Sequence, residues 1–353
     1  MATRLRSLEI GLSGHWPIPT LVACAQEAER RGFPRVWLAE NYFVRSLSVM
    51  ASAVCAGTNR LDVGLGIVNI YTRLAPLIAM ETATLDELSG GRVTLGLGVG
   101  RTPSVRLGLD LSKSITTLRE TMEICRRLFA GERLGYNGTV HRIAPDSVQL
   151  GFRPPRGEAI PIHLGVMGPK GLRLAGESSD GAFLSVFTSP AFIRGAYEHV
   201  RAGAQTAGRS PAGLYFGSYV VFAVDRDRGT ARDLVRPTVA DYIGRRTTSP
   251  EQLTAAGIDP DRAAETRARI RAAFATGNDA EAIRLVPDDF CDRVTVCGTP
   301  EDCCDALAAL AGAGLRSAAL YLYNLPGRDP AQMIRLAAEE IAPRVCDQGS
   351  HEP

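Results

Sequence analysis

Lysine is almost missing from this 353-residue chain. Lys and Arg together number 40, yet Lys113 and Lys170 are the only lysines. The arginine excess reads as genomic base composition, but it makes the position of each lysine worth weighing. Net charge is small too, at +2, which argues against a nucleic-acid partner or a membrane surface. No apolar run is long enough to span a bilayer, and the opening MATRLRSLEIGL has no apolar signal core, so a cytoplasmic protein is expected. Eight cysteines are present without a single Cys-x-x-Cys pair, and no histidine lies near the group from Cys291 to Cys304. That spacing argues against a zinc site and for reduced, buried thiols, with no metal expected. No Gly-x-Gly-x-x-Gly follows the first apolar strand, which counts against a Rossmann domain.

What is present is a rhythm. With 45% hydrophobic residues the chain can fill a large core. Strand-like runs start near Leu8, Val36, Leu61, Val93, Ile160, Gly181, Leu214 and Ser317, and helical spacing separates them. Asn137-Gly138 marks a hairpin turn within an insertion at about 134–152, and an Arg- and Ala-rich helical insertion covers about 229–290. Ser189-Pro190, Ser249-Pro250, Thr299-Pro300 and Asp329-Pro330 each place a capping oxygen before a proline, and read as helix starts. Eight strands alternating with helices predict parallel pairing. The economical closure is a single (β/α)8 TIM barrel over residues 1–344, with a disordered tail at 345–353; a doubly wound open sheet is the alternative.

In such a barrel, chemistry gathers on the loops that follow the strands. After strand one stand His15 and Trp16, candidates to line a substrate pocket. After strand two, the apolar run ending at Ala39 gives way to Glu40, Asn41 and Tyr42: a carboxylate, an amide and a phenol. Asn69 to Arg73 follow strand three, and Gly98, Gly100 and Arg101 follow strand four. Gly165-Val166-Met167-Gly168-Pro169-Lys170 follow strand five, and Tyr321, Tyr323 and Asn324 end strand eight. The strand-five loop puts glycines and Lys170 at a helix start, where a cation opposes the helix dipole unless an anion such as phosphate sits there; a glycine-rich turn with an exposed lysine reads equally well. Glycines 64, 66, 96 and 98 within strands three and four suggest an opening for a flat ring. His163, inside strand five, reads as a packed core residue.

Three stretches carry a resemblance: VNIYTRLAPLIAMETATLDELSGGRVTLGLGVG (68–100), IPIHLGVMGPKGLRLAGESSDG (160–181) and VCGTPEDCCDALAALAGAGL (296–315). Over nearly its whole length the chain resembles the bacterial luciferase-like superfamily of flavin and deazaflavin enzymes, most closely its F420-dependent methylenetetrahydromethanopterin reductase branch. The resemblance implies a (β/α)8 barrel and a homodimer. It implies a non-prolyl cis peptide at Gly66-Ile67, at the end of strand three, backing the coenzyme ring with Val68 and Asn69. It also implies a coenzyme phosphate at Gly165–Gly168 with Lys170, and a substrate entrance beside the insertion before strand eight.

Two departures stand out. The family's usual Asp-His after strand two is Glu40-Asn41 here, and the acidic residue often found after the strand-four glycines is Arg101. The places for a proton donor are altered, which argues against methanopterin as the substrate. The expected function is hydride transfer between coenzyme F420 and a C=C or C=N bond of a small molecule or peptide, with Glu40, Asn41 and Tyr42 at the catalytic site and Arg73 beside the substrate. An FMN-dependent monooxygenase and a non-catalytic flavin-binding barrel are the alternatives.

Overall fold

The structure is a computed structural model describing residues 4–246, 248–323 and 325–347, with the side chains of 101–103 also outside the description. Asn324 and the tail from 348 therefore lie beyond it. Eleven strands are described: β1 (Ser7–Ser13), β2 (Arg35–Ala39), β3 (Asp62–Asn69), β4 (Val93–Gly98), β5 (Leu134–Asn137), β6 (Arg142–Val148), β7 (Ile162–Gly165), β8 (Gly181–Leu184), β9 (Tyr215–Val224), β10 (Val296–Gly298) and β11 (Ser317–Leu322). Parallel pairing runs β1-β2-β3-β4-β7-β8-β9-β11 and returns to β1, closing a ring of eight strands. Closure leaves no free edge, and parallel strands bring all eight C-terminal ends to one rim. The barrel is thus the expected one, and not an open sheet.

β5 and β6 form the antiparallel hairpin, and five helices between Arg228 and Val294 make up the second insertion. The capping prolines behave as read: Ser189 and Asp329 cap their helices, and Ser249–Gln252 and Thr299–Asp302 form reciprocal capping boxes. Three details differ from the sequence reading. β10 is a three-residue strand paired to the far end of β9, too short to leave a periodic signal. Leu74, Leu77, Ile78, Leu85 and Leu88 recur close to the helical period after strand three, yet in the helix Ala75–Ser89 Ile78 and Leu85 face the core while Leu77 and Leu88 face outward. Val345 closes a short helix and Cys346 bridges to Leu5, so order extends past 344.

Glycines inside the barrel turn out to be seats for aromatic rings. A Cβ on Gly64 would collide with Trp37, and one on Gly66 would meet the Tyr219 hydroxyl at 2.6 Å. Gly11 faces Tyr219 and Tyr321 in the same way. Trp37 stacks on Phe183 with centroids 4.1 Å apart, and Phe183 meets Tyr219 edge-on at 4.6 Å. The lower barrel is closed by charge: the buried Glu9 accepts from Trp37 Nε1 (2.6 Å) and Tyr215 Oη (2.9 Å), with Arg35 at 3.6 Å. His163 packs beside Tyr215 and Trp37. Burial holds its imidazole well below the usual histidine range, with the Arg35 and Arg126 charges acting the same way. It is the packed core residue that the sequence suggests.

Candidate active site at the barrel mouth

Glu40, Asn41 and Tyr42 follow β2 at the rim, as expected, but the structure divides their work. The Glu40 side chain is buried and engaged: Oε1 accepts from Arg73 Nη1 at 2.6 Å, and Oε2 accepts from the Asn69 backbone N–H and the Tyr42 hydroxyl at 3.0 Å. Arg73 also reaches Glu81 at 3.4 Å. The cation expected beside the substrate is therefore ion-paired inside the wall, and Glu40 locks the loops after β2 and β3 together. Tyr42 Oη lies 2.5 Å from Thr72 Oγ1. Burial raises its phenol, and the neighbouring Glu40 charge pushes the same way, so it is a weak acid here. Asn69 is buried and acts as a bracket, donating to the Val99 carbonyl and Ser104 Oγ and accepting from the Tyr71 N–H. The hydroxyl of Tyr71 itself is buried, with no partner among the described residues.

Asn41 turns toward β1. Its Oδ1 accepts from the Gly14 N–H at 2.9 Å and from Ser13 Oγ at 3.1 Å. Its Nδ2 donates to none of the described residues. Ser13 Oγ lies 2.7 Å from His15 Nδ1, and His15 packs its ring on Tyr323 with centroids 4.6 Å apart. Trp16 anchors the same loop by donating Nε1–H to the Leu322 carbonyl at 2.8 Å. The helical insertion completes this side. Arg246 donates to Asp241 (2.7 Å) and to Tyr323 Oη (2.6 Å), and lies 4.7 Å from the centre of the Tyr242 ring; Tyr323 donates onward to Asp241 at 3.2 Å. Burial, with the carboxylate of Asp241, pushes the Tyr323 phenol up despite Arg246.

The opposite side of the rim is built from backbone. The Gly66-Ile67 peptide is cis, as the resemblance implies, and the β3–β4 register shifts between Leu65 and Val68. Tyr219 Oη donates to the Gly66 carbonyl at 3.0 Å. The half-buried Ile67 side chain fills the space left by two glycines: a Cβ on Gly98 would meet it at 2.8 Å and one on Gly165 at 2.5 Å. Gly98, read from sequence as room for a ligand ring, makes room for the bulge instead, and Gly165, read as part of the anion loop, does the same. Gly165 leads into Val166, buried, and Met167, half-buried. Gly168 then opens the helix Pro169–Ser178 with no side-chain cap, and the adjacent Lys170 is exposed without an ion pair among the described residues. Gly100, at φ 54°, turns the chain after β4 into the helix Arg101–Arg106; the Arg101 side chain lies outside the described residues.

Uncapped helix N–H groups and a free lysine suit a phosphate. Ile67 stands against Gly165, where the loop leading to them begins, and can back a flat ring, and the buried Tyr71 hydroxyl and the Asn41 amide remain to satisfy polar ring edges. This donor set fits a phosphate-bearing flavin or deazaflavin. Sequence reasoning places Ser13 on the rim after strand one but gives it no role, and it missed the Asp241–Tyr242–Arg246 group. The latter sits where an Arg-rich helical run ends, and nothing in that run's composition says that it folds back over the mouth.

The family profile described as Luciferase-like monooxygenase matches residues 7–317. The chain is 31% identical over 328 residues to a 5,10-methylenetetrahydromethanopterin reductase of Methanolobus tindarius, covering 92% of this chain and 96% of that one. It is 31% identical over 319 residues to the enzyme of the same name from Archaeoglobus fulgidus, covering 90% and 93%. The solved coenzyme F420-dependent tetrahydromethanopterin reductase from Methanopyrus kandleri superposes with a TM-score of 0.87 at 26% identity, over 97% of this chain and 99% of that one. With the closed barrel, the bulge and the open helix start in place, the chain belongs to the luciferase-like monooxygenase superfamily, on its F420-dependent methylenetetrahydromethanopterin reductase branch, and is a flavin- or deazaflavin-using oxidoreductase.

Proposed function

We propose that the protein is a coenzyme F420-dependent reductase acting on a C=C or C=N bond of a small molecule or peptide. One observation carries this reading: the Ile67 bulge abuts Gly165, which leads straight to the uncapped helix start and Lys170, so a ring support and an anion site share one side of the rim. Coenzyme F420, when bound, supplies the hydride from C5 of its reduced ring; the protein orients it and excludes water. Gly168 and Lys170 hold the phosphate. Ile67 backs the ring, and Asn41 Nδ2 donates to a ring or substrate oxygen without titrating. The substrate enters beside the insertion, under Tyr242, Arg246 and Tyr323. Methanopterin fits poorly, because Asn41 cannot titrate and Glu40 is engaged by Arg73, Tyr42 and Asn69.

A homodimer is part of the proposal. Leu77, Met80 and Leu88 expose an apolar stripe at helical spacing, and Leu74, Val49 and Phe43 add to the exposed apolar surface on neighbouring segments. No helix among the described residues is long and apolar enough to cross a membrane. The test of function is to mix protein, reduced F420 and cyclohex-2-enone or 1-pyrroline, and follow the return of oxidised deazaflavin absorbance. Protein-dependent reoxidation supports the reading. Oxygen consumption with reduced FMN, and no reoxidation of F420, would favour the monooxygenase alternative.

A further inference from the structure

Of the candidate proton carriers Glu40, Tyr42, Tyr323 and His15 at the mouth, only His15 is neither ion-paired nor pushed toward a weaker acid. Glu40 is engaged by three donors. Tyr42 and Tyr323 are both raised by burial and a neighbouring carboxylate. Asn41 does not titrate. His15, by contrast, is exposed on its loop.

The hydrogen bonds around His15 fix which nitrogen carries its proton. The Gly14 N–H can only donate, so the atom of Asn41 facing it at 2.9 Å must be the oxygen. Ser13 Oγ lies 3.1 Å from that same oxygen and donates to it, since the amide oxygen can only accept. The hydroxyl proton of Ser13 therefore points at Asn41. Its lone pair is left for His15 Nδ1 at 2.7 Å, and Nδ1 must donate. Nε2 is then the nitrogen that gains and loses a proton. It lies 3.5 Å from Tyr323 Oη, whose own proton goes to Asp241.

Building on the reductase reading above, we propose that His15 is the acid–base residue of the site, presented with its proton on Nδ1 by Ser13 and Asn41 and with Nε2 facing the mouth beside Tyr323. In the reduction, hydride adds to one atom of the substrate's C=C or C=N bond, and the electron pair of that bond moves to the other atom. The Nε2–H of the imidazolium gives its proton to that second atom. The neutral ring recovers a proton from solvent at the open rim. In the reverse direction neutral Nε2 takes the proton. Asn41 and Ser13 are positioning residues: the chain keeps its imidazole on the neighbouring strand's loop and joins it to position 41 through one hydroxyl.

The charged and titratable groups facing His15 are Arg246 and Asp241 from the insertion, Arg45 after β2 and Tyr323 after β11. Partial burial lowers the imidazole, Arg246 and Arg45 add to this, and Asp241 opposes it. Reduction is therefore expected to slow as pH rises through a midpoint below about 6.5, the ordinary histidine value.

The test has two arms. In ¹⁵N-labelled protein, five histidines give a tractable spectrum, and His15→Gln identifies the His15 signals. Neutral His15 is expected as the Nδ1–H tautomer; Ser13→Ala and Asn41→Leu should release it toward Nε2–H, and Asn41→Asp, which keeps the acceptor, should restore it. An Nε2–H tautomer in the unsubstituted protein overturns the proposal. In the second arm, single-turnover reoxidation of reduced F420 by cyclohex-2-enone or 1-pyrroline should slow about 100-fold or more in His15→Gln, with F420 affinity unchanged. An unchanged rate overturns the proposal as well. Failure of the unsubstituted protein to bind F420 or to turn over counts against the reductase reading alone, and the tautomer then decides the role of His15.

Discussion

The two sides of the barrel mouth are built from different material. On the β3–β4–β7 side, glycines, a bulge and an uncapped helix leave backbone donors and one lysine free. On the β11–β1–β2 side, Asn41, Ser13, His15, Tyr323, Asp241 and Arg246 are wired to one another by side-chain hydrogen bonds. A surface with spare donors is suited to hold a ligand whose shape is constant. A wired surface fixes protonation states and orientation, which is what the reacting substrate needs. The proposed function puts the coenzyme on the first side and proton chemistry on the second.

That division can be broken from either side. The largest effect is expected from Gly165→Val. Its Cβ would stand 2.5 Å from Ile67 Cγ2, and overpacking of roughly 1–3 kcal/mol should displace the bulge and cut F420 affinity by about 100-fold. Fluorescence titration with F420 measures this, and unchanged affinity would mean that the bulge does not support the ring. Next comes Glu40→Gln. It removes the anion from between Arg73, Tyr42 and Asn69, and stability should fall by about 2 kcal/mol, because bonds to charged groups are each worth roughly 1.5–3 and Arg73 retains Glu81. Denaturant unfolding reads it. A larger effect on hydride transfer than on stability would show Glu40 working beyond its bracket. Lys170→Ala should weaken F420 binding about five-fold and flatten its salt dependence, as loss of one exposed charge does.

The smallest effect tests the floor of the barrel. His163 is depressed in the folded state, so the unfolded chain binds its proton first. Stability should be full above about pH 6.5 and should fall as pH drops below it. The slope of unfolding free energy between pH 7.5 and 5.5 should lessen in His163→Gln. An identical slope would mean that the buried imidazole is not what the acid titrates.

The eight barrel strands were legible because each is a continuous apolar run between turn signals, the mark of a strand buried on both faces. The rim loops followed from topology alone. What could not be read was which partner fills each space. Gly64 and Gly66 look the same from sequence whether a coenzyme or Trp37 and Tyr219 lie against them. Arg73 looks like a free cation until Glu40 folds beside it. Leu77 and Leu88 fit an apolar helix pattern but point outward, because Ala75, Ala79 and Ala83 make the inner face flat and small. Asp241 and Arg246 are ordinary surface types until a long insertion returns them to the mouth. Apart from the outward leucines, each miss is a contact between segments far apart in sequence, which periodicity does not encode.

Equilibrium binding of purified protein to coenzyme F420 and to FMN, side by side, shows whether the open side of the mouth holds deazaflavin. Micromolar or tighter F420 binding that weakens as salt rises is expected, with FMN bound far more weakly. Micromolar FMN binding with no detectable F420 binding would contradict it.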